Sequence, residues 1–168
     1  MAHKHSVYDT DPHFSIDPAT RVLTDMSQTK TLIIQNDHNS ERFTFELPRY
    51  VDGHDMSLCD SVQIHYINIG AGREERNPGL YEVTDLQISP DSDDVVVCSW
   101  LISRNATLYA GSLNFIIRFA CTAGAEFDYV WHTAIYSGIS VSSGISNSEA
   151  IVEEYADILA LWAEGIYE

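Results

Sequence analysis

Histidines are the first residues in this chain that could do chemistry, because a neutral imidazole binds transition metals and titrates near neutral pH. Of the seven histidines, His3 and His5 form the only closely spaced pair, and no cysteine lies near them in the sequence. His65 and His132 stand on predicted strands that could bring them together. Structural zinc sites usually show close pairs of ligands. We therefore expect no metal site in this chain.

Carboxylates and serines could support calcium binding or hydrolysis, but the sequence patterns of these chemistries are missing. Residues 91–94 read DSDD and resemble the start of a calcium loop, without the glycine of its sharp turn and the glutamate at its end. No G-x-S-x-G sequence occurs. A Ser-His-Asp set or a pair of carboxylates assembled in space stays open, because geometry defines such sites. We expect a protein that is not an enzyme, with no catalytic residue and no cofactor.

The chain has an odd number of cysteines, and no two of them form a C-x-x-C pair. They are Cys59, Cys98 and Cys121. Cys98 and Cys121 lie in apolar runs that are typical of strands. Free cysteine is among the most buried residue types, and disulfides are rare in the cytosol. We therefore predict buried free thiols, as expected for a protein that is assembled in a reducing cytoplasm.

The charge of the chain argues against two classes of partner. The 168 residues include 25 acidic and 9 basic side chains, which gives a net charge of −16. A nucleic-acid-binding surface needs a basic footprint, and an anionic membrane repels a protein of this charge. The first residues lack the apolar region of a signal peptide, and no apolar stretch approaches the length of a transmembrane helix.

Alternation of apolar and polar residues predicts an all-β fold for most of the chain. It is clearest in residues 42–47, 61–69, 113–121 and 127–135, and the last two runs are expected to form an antiparallel pair. Roughly eight or more strands at a spacing of about 8–12 residues are typical of a sandwich or barrel. We predict an antiparallel β-sandwich, immunoglobulin-like or jelly-roll-like. Turn signals in residues 70–79, which end in Asn77-Pro78-Gly79, predict a polar loop.

The aromatic residues at strand spacing have two possible roles. Core packing is the default because they share faces with aliphatic residues, and a platform on which sugars stack is the alternative. The set consists of Trp100, Phe115, Phe119, Tyr129 and Trp131.

Residues 146–167 give the one helix that the sequence predicts with several independent signals. Ser146 and Glu149 fit a capping box, and Gly165 is placed to end the helix. The apolar positions form a stripe that contains a coiled-coil seam with alternating spacings of three and four residues. We expect the stripe to be an oligomer or partner interface made of Ile151, Val152, Tyr155, Ile158, Leu159, Trp162 and Ile166. The alternative, that the stripe covers an open face of its own sandwich, stays open.

The predicted organisation is therefore an extended N-terminal arm over residues 1–20, a β-sandwich over 21–141, and a joint with the C-terminal amphipathic helix over 142–168. Pro12 and Pro18 interrupt the arm, which we do not expect to contribute a core element.

Several runs of the sequence are similar to a family of tail-module proteins from phages and prophages of gut Firmicutes. These runs are KTLIIQ (30–35), HNSERFTFE (38–46), SWLISRNAT (99–107), AIYSGISVSSGI (134–145) and IVEEYADIL (151–159). The layout also resembles the N-terminal domain of phage upper baseplate proteins, which attach fibres. The resemblance implies that the β-domain docks on the virion and that the helix begins a trimeric stalk.

We expect a non-enzymatic virion structural protein, an attachment or adaptor domain that is assembled in the bacterial host cytoplasm. Its expected partners are other virion proteins and further copies of itself, with a homotrimer favoured. The alternative is a carbohydrate-binding β-sandwich that recognises the host, which would need exposed aromatic residues in a groove. A hydrolase is the third hypothesis, for which only the content of Ser, His and acidic residues speaks.

Overall fold

The computed structural model describes residues 12–27, 32–122 and 128–143. Apart from single turns of 3-10 helix at Met56–Leu58 and Arg104–Ala106, the regular structure there is all β-strand, which confirms the all-β prediction. The strands are β1 (His13–Ile16), β2 (Leu23–Asp25), β3 (Leu32–Ile34), β4 (Arg42–Pro48), β5 (Tyr50–Val51), β6 (His54–Asp55), β7 (Ser61–Gly70), β8 (Arg76–Val83), β9 (Gln87–Ile88), β10 (Val95–Leu101), β11 (Gly111–Cys121), β12 (Tyr129–His132) and β13 (Tyr136–Ser142).

Two large sheets organise these strands. The first sheet has the order β2-β1-β4-β10-β9. The second sheet has the order β3-β13-β11-β7-β8, and β12 pairs with β11 beyond the region that β13 covers. A separate small hairpin is formed by β5 and β6. The predicted antiparallel pairing of the run that ends at Cys121 with the run that follows it is confirmed by β11 and β12.

Alternation along the long strands places one face of each sheet in a shared core. In β4, Phe43, Phe45 and Leu47 are buried, whereas the residues between them are partly exposed. The same period of two appears in β7 and β11, because successive side chains of a strand point to opposite faces. The predicted core role of the aromatic set is confirmed for its buried members, Trp100, Phe115, Phe119 and Trp131.

Aromatic rings join the two sheets face to face. Phe115 of the second sheet lies 5.1 Å from Trp100 and 5.7 Å from Phe45 of the first sheet, measured between ring centroids. Tyr136 of the second sheet lies 5.2 Å from Phe14 of the first, edge to face. Such tilted and edge-to-face pairs are the arrangements that aromatic rings prefer. The centre of the molecule is therefore an aromatic layer between the sheets.

The prediction of purely antiparallel sheets is wrong at two places. Strand β1 runs parallel to β4, and β3 runs parallel to β13. Both β1 and β3 come early in the chain and pair with strands that the chain reaches later. Whether a strand runs parallel or antiparallel to a distant partner depends on the path of the chain between the two strands. Alternation within a strand carries no information about that path.

The predicted arm over residues 1–20 contains a strand of the first sheet. Strand β1 pairs with β2 and β4, and it buries Phe14 and Ile16 almost completely. Only two apolar positions alternate within its four residues, and Pro12 and Pro18 flank it. The proline signals therefore marked the ends of a short strand, and the prediction that no core element lies here is wrong.

The predicted polar loop over residues 70–79 is shorter than expected. Strand β8 already begins at Arg76 and pairs with β7 through Asn77, Pro78 and Gly79. Proline cannot donate a ladder hydrogen bond, but it is tolerated in an edge strand, and β8 is at the edge of its sheet. The turn residues are accommodated here because only one side of the strand needs hydrogen bonds.

The predicted strand over residues 127–135 is interrupted. Strand β12 ends at His132, and Thr133 takes over the pairing with β11: Thr133 N–H donates to the Ile117 carbonyl at 2.9 Å, and Ile117 N–H donates to Thr133 Oγ1 at 3.0 Å. The register between β11 and β13 then shifts near Leu113. As a result Ile135, which a continuous strand would place on the same face as the buried Trp131, is 72% exposed.

The predicted C-terminal helix lies outside the described residues, as do all seven positions of its apolar stripe. Within the described ranges, no helix is long and apolar enough to cross a membrane. The predicted boundaries of the arm, the sandwich and the helical segment as separate units stay a prediction.

Candidate interaction surface

The end of β13 is the described element that lies closest in the sequence to the predicted interface stripe. Ser142 is the last residue of β13 and pairs with Ile34 of the neighbouring strand β3. The Gln35 N–H donates to the Ser142 carbonyl at 2.6 Å, and Gln35 Nε2 donates to the Leu108 carbonyl at 2.8 Å. We call this set of residues, Ile34, Gln35, Leu108 and Ser142, the exit joint. It ties the end of the last described strand to two other segments of the chain.

The exit joint has one exposed apolar side chain. Ile34, on the edge strand β3, is 38% exposed. Ser143 Oγ is buried without a hydrogen-bond partner in the described part of the chain. An apolar side chain and an unpaired polar group therefore lie at the end of the last described strand.

The solvent side of the second sheet carries a partly apolar patch across β7, β8 and β11. Ile67 of β7 stands between Pro78 of β8 and Asn114 of β11, and the adjacent row consists of Leu80, His65 and Ile116. Leu80 is 50% exposed. Asn114 Oδ1 is buried without a partner among the described residues. The change from polar to apolar residues along β7, visible in the sequence, thus produces a partly apolar outer face.

The two histidines that the sequence singled out face the same side of the second sheet. His132 pairs with Arg118 across β12 and β11, and His65 lies on the strand next to β11. Partial burial first, and the charges of Arg118, His65 and Arg21 after it, lower the pKa of His132. A cation beside the two rings opposes metal binding. Among the described residues, no group of three His, Cys, Asp or Glu side chains could hold a metal ion.

A buried serine with two charged neighbours is the nearest approach to a catalytic set. Ser99 Oγ donates to Asp85 Oδ2 and accepts from Arg42 Nη1 at 2.8 Å, and Ser99 N–H donates to Asp85 Oδ1 at 2.9 Å. Ser99 is only 6% exposed. The set contains no imidazole that could accept the hydroxyl proton, and substrate would have no access to the oxygen. These bonds link β4, β10 and the segment before β9, which is a structural task.

The residues that resembled a calcium loop form a capped turn. Ser89 Oγ accepts from Asp91 N–H at 3.1 Å, and Ser92 Oγ accepts from Asp94 N–H at 3.2 Å. All four residues of 91–94 are exposed. The serines satisfy the backbone of the turn, and the carboxylates extend into solvent, which accounts for this acidic cluster without a cation.

The thiols are arranged differently from the prediction. All three cysteines are free, as predicted, but only Cys98 is buried, and Cys59 and Cys121 are partly exposed. Burial raises the pKa of both Cys59 and Cys98 above the usual range. Neither pKa is lowered, as it is in catalytic cysteines, whose reactive form is the thiolate.

The described parts of the chain show no exposed aromatic surface on which a sugar could stack. Among the aromatic side chains there, Tyr50 alone is more than one-third exposed. A shallow depression of about 340 Å³ on the first sheet has no aromatic residue in its lining of Ser15, Ile16, Asp17, Pro18, Glu46, Leu47, Pro48 and Val95. Nothing in this geometry favours the carbohydrate-binding alternative.

Comparison with known proteins gives a likeness in structure but none in sequence. No protein-family model matches the sequence, and no curated protein matches it. Among solved structures, the chain is similar to the N-terminal domain of phage TP901-1 ORF48, with 10% sequence identity. The match covers 78% of this chain and 95% of that chain, with a TM-score of 0.39. The likeness is coarse.

Sequence reasoning missed the exit joint. The two hydrogen-bond partners of Gln35, Leu108 and Ser142, are far away in the sequence, so no local pattern pairs them with it. The signal that could have indicated this site is the position of a polar amide directly after an apolar run, next to a turn cluster.

Proposed function

We propose that this chain is a non-enzymatic structural protein of a phage virion, in which the β-domain docks on the particle and residues 146–167 form a helix that self-associates. The observation that carries the proposal is the exit joint. A domain that positions a stalk needs a fixed connection between its last strand and the stalk. Ser142 is held by β3 and Gln35, and the predicted stripe begins nine residues later in the sequence.

The sequence supports the same assignment in two further ways. The runs that are similar to phage tail-module proteins lie on β3, β4, β10 and β13, and the last of them lies in the stripe. The seam with spacings of three and four residues is typical of helices that associate with other helices. Tyr155 and Trp162 are bulky for a tight two-stranded seam, so we favour a trimer over a dimer.

Two point substitutions with the same added charge test the helix interface. In a helix, Leu159 and Ala160 point about 100° apart, and Ala160 lies on the side opposite the centre of the stripe. We expect Leu159→Glu to convert the oligomer into monomers and Ala160→Glu to leave the mass unchanged, as measured by light scattering after size-exclusion chromatography.

Two different results would count against the proposal, and each assigns a different role to the stripe. If both variants keep the mass of the wild-type oligomer, the stripe is not the interface. If the wild-type protein is itself monomeric and Leu159→Glu lowers its unfolding midpoint, the stripe packs on its own β-domain, which is the alternative that the sequence left open.

A further inference from the structure

Two of the three cysteines meet at one end of the second sheet. Cys59 directly follows the 3-10 turn Met56–Leu58, and Cys121 is the last residue of β11. Their Sγ atoms are 2.8 Å apart, within hydrogen-bond distance for sulfur. Both side chains are partly exposed, whereas Cys98 is 4% exposed in the core. Cys98 is therefore buried in the core, away from solvent, whereas the other two thiols lie near the surface.

The backbone next to both thiols is clamped in place. Asp60 N–H donates to the Ala120 carbonyl at 3.0 Å. Thr122 directly follows β11. Its N–H donates to Asp60 Oδ1 at 3.0 Å, and its Oγ1 donates to Asp60 Oδ2 at 3.1 Å. These three bonds extend the β7–β11 ladder past its last pair and fix the segments that carry the cysteines. The proximity of the thiols therefore follows from the backbone.

We propose that Cys59 and Cys121 form an intramolecular disulfide when the protein meets a low-molecular-weight disulfide such as oxidised glutathione. One cysteine loses its proton to water and attacks a glutathione sulfur, which releases one glutathione and leaves a mixed disulfide. The other cysteine, also deprotonated, attacks the protein sulfur of the mixed disulfide and releases the second glutathione. Two protein S–H bonds are replaced by one S–S bond, and the two electrons reduce glutathione disulfide to two thiols.

The bond would link elements that are distant in sequence. The segment between the two cysteines contains β7, β8, β9, β10 and β11 up to Cys121, so the closed loop contains strands of both sheets. Closing a loop of this length restricts the unfolded chain strongly. We expect oxidation to lower the equilibrium constant of unfolding by roughly thirtyfold to a thousandfold, seen as a higher midpoint in denaturant.

The full chain, purified under reducing conditions and freed of reductant, can be incubated with oxidised glutathione and analysed without reduction. We expect an intact mass lower by two hydrogen atoms, a fall from three titratable thiols to one under denaturing conditions, and a peptide pair that joins Cys59 to Cys121. The variant Cys98→Ser should lose the same two hydrogens. The variant Cys59→Ser should lose none and carry at most a glutathione adduct.

Three results would overturn the proposal: an unchanged mass, a wild-type protein that stops at the mixed disulfide, or a covalent dimer in place of the internal bond. The decisive readings come from the wild-type chain, so a folding defect in either variant does not affect them. The unfolding midpoint, compared before and after oxidation, tests the expected stabilisation separately.

Discussion

Replacing Phe115 by alanine tests whether the aromatic layer holds the two sheets together. Phe115 is 2% exposed, and its ring lies against Phe45 and Trp100 of the opposite sheet. Removing a buried phenylalanine costs about 3–5 kcal/mol through lost burial and the cavity that remains. Loss of aromatic pairs adds about 0.5–1.5 kcal/mol. Phe119, on the same strand, pairs with the ring of Trp131 in its own sheet, with 6.0 Å between ring centroids.

We therefore expect Phe115→Ala to lower the free energy of unfolding by about 4 kcal/mol or more, and Phe119→Ala to cost about 1 kcal/mol less than that. The exposed Tyr50, replaced by alanine, serves as the surface control and should cost below about 1 kcal/mol. Denaturant unfolding followed by far-ultraviolet circular dichroism measures all three without depending on Trp100 fluorescence. If Phe115→Ala does not fold, Phe115→Leu gives a measurable intermediate loss.

A loss for Phe115→Ala that is no larger than the loss for Tyr50→Ala would contradict the packing described above. It would mean that the ring does not lie between the sheets in solution. An equal loss for Phe115→Ala and Phe119→Ala would keep the core but remove the special role of the contacts between sheets.

Three further substitutions test other contacts. Asn68→Ala should cost about 1–3 kcal/mol in urea unfolding, because the buried Asn68 amide accepts from a backbone N–H at 2.7 Å and donates to two carbonyls at 3.0 Å. Gly79→Ala should cost about 1–3 kcal/mol, because the added methyl group would overlap the ring of the buried Tyr66. Gly72→Ala is the control and should be nearly neutral, because no atom lies within 4 Å of the added methyl group. The hydrogen bond from Arg49 lowers the pKa of Asp55 from 3.8 to about 2. Ionised Asp55 therefore stabilises the folded state above about pH 4, and this stabilisation is lost as the pH falls through about 2. The difference in the free energy of unfolding between wild type and Asp55→Asn should shrink over that window. A difference that stays constant down to pH 2 would exclude this contribution.

The strands that sequence reasoning predicts best are the long ones with a strict period of two. Strands β7 and β11 alternate over 10 and 11 residues, and both were found with nearly correct ends. Strand β1 has 4 residues, so its two apolar positions do not stand out from an extended arm. Local pattern identifies a strand only when it is repeated often enough to differ from chance.

Relations between distant segments could not be predicted from the sequence. The parallel pairing of β3 with β13 creates the exit joint, and the meeting of Cys59 with Cys121 creates the dithiol. Neither contact has a local signal, because each depends on the path of the chain through two sheets. The charge of the chain and its missing motifs indicated which chemistries not to expect, but they did not indicate which surface is used.

The oligomeric state of the chain with and without its last segment tests the proposed function most directly. Light scattering should be carried out on the full chain and on a chain that ends at Ser143, one residue after the last strand. The proposal predicts an oligomer, with a trimer favoured, for the full chain and a folded monomer for the shortened one. The proposal would be contradicted if both proteins contained the same number of chains per particle, whether both were monomers or both formed the same oligomer.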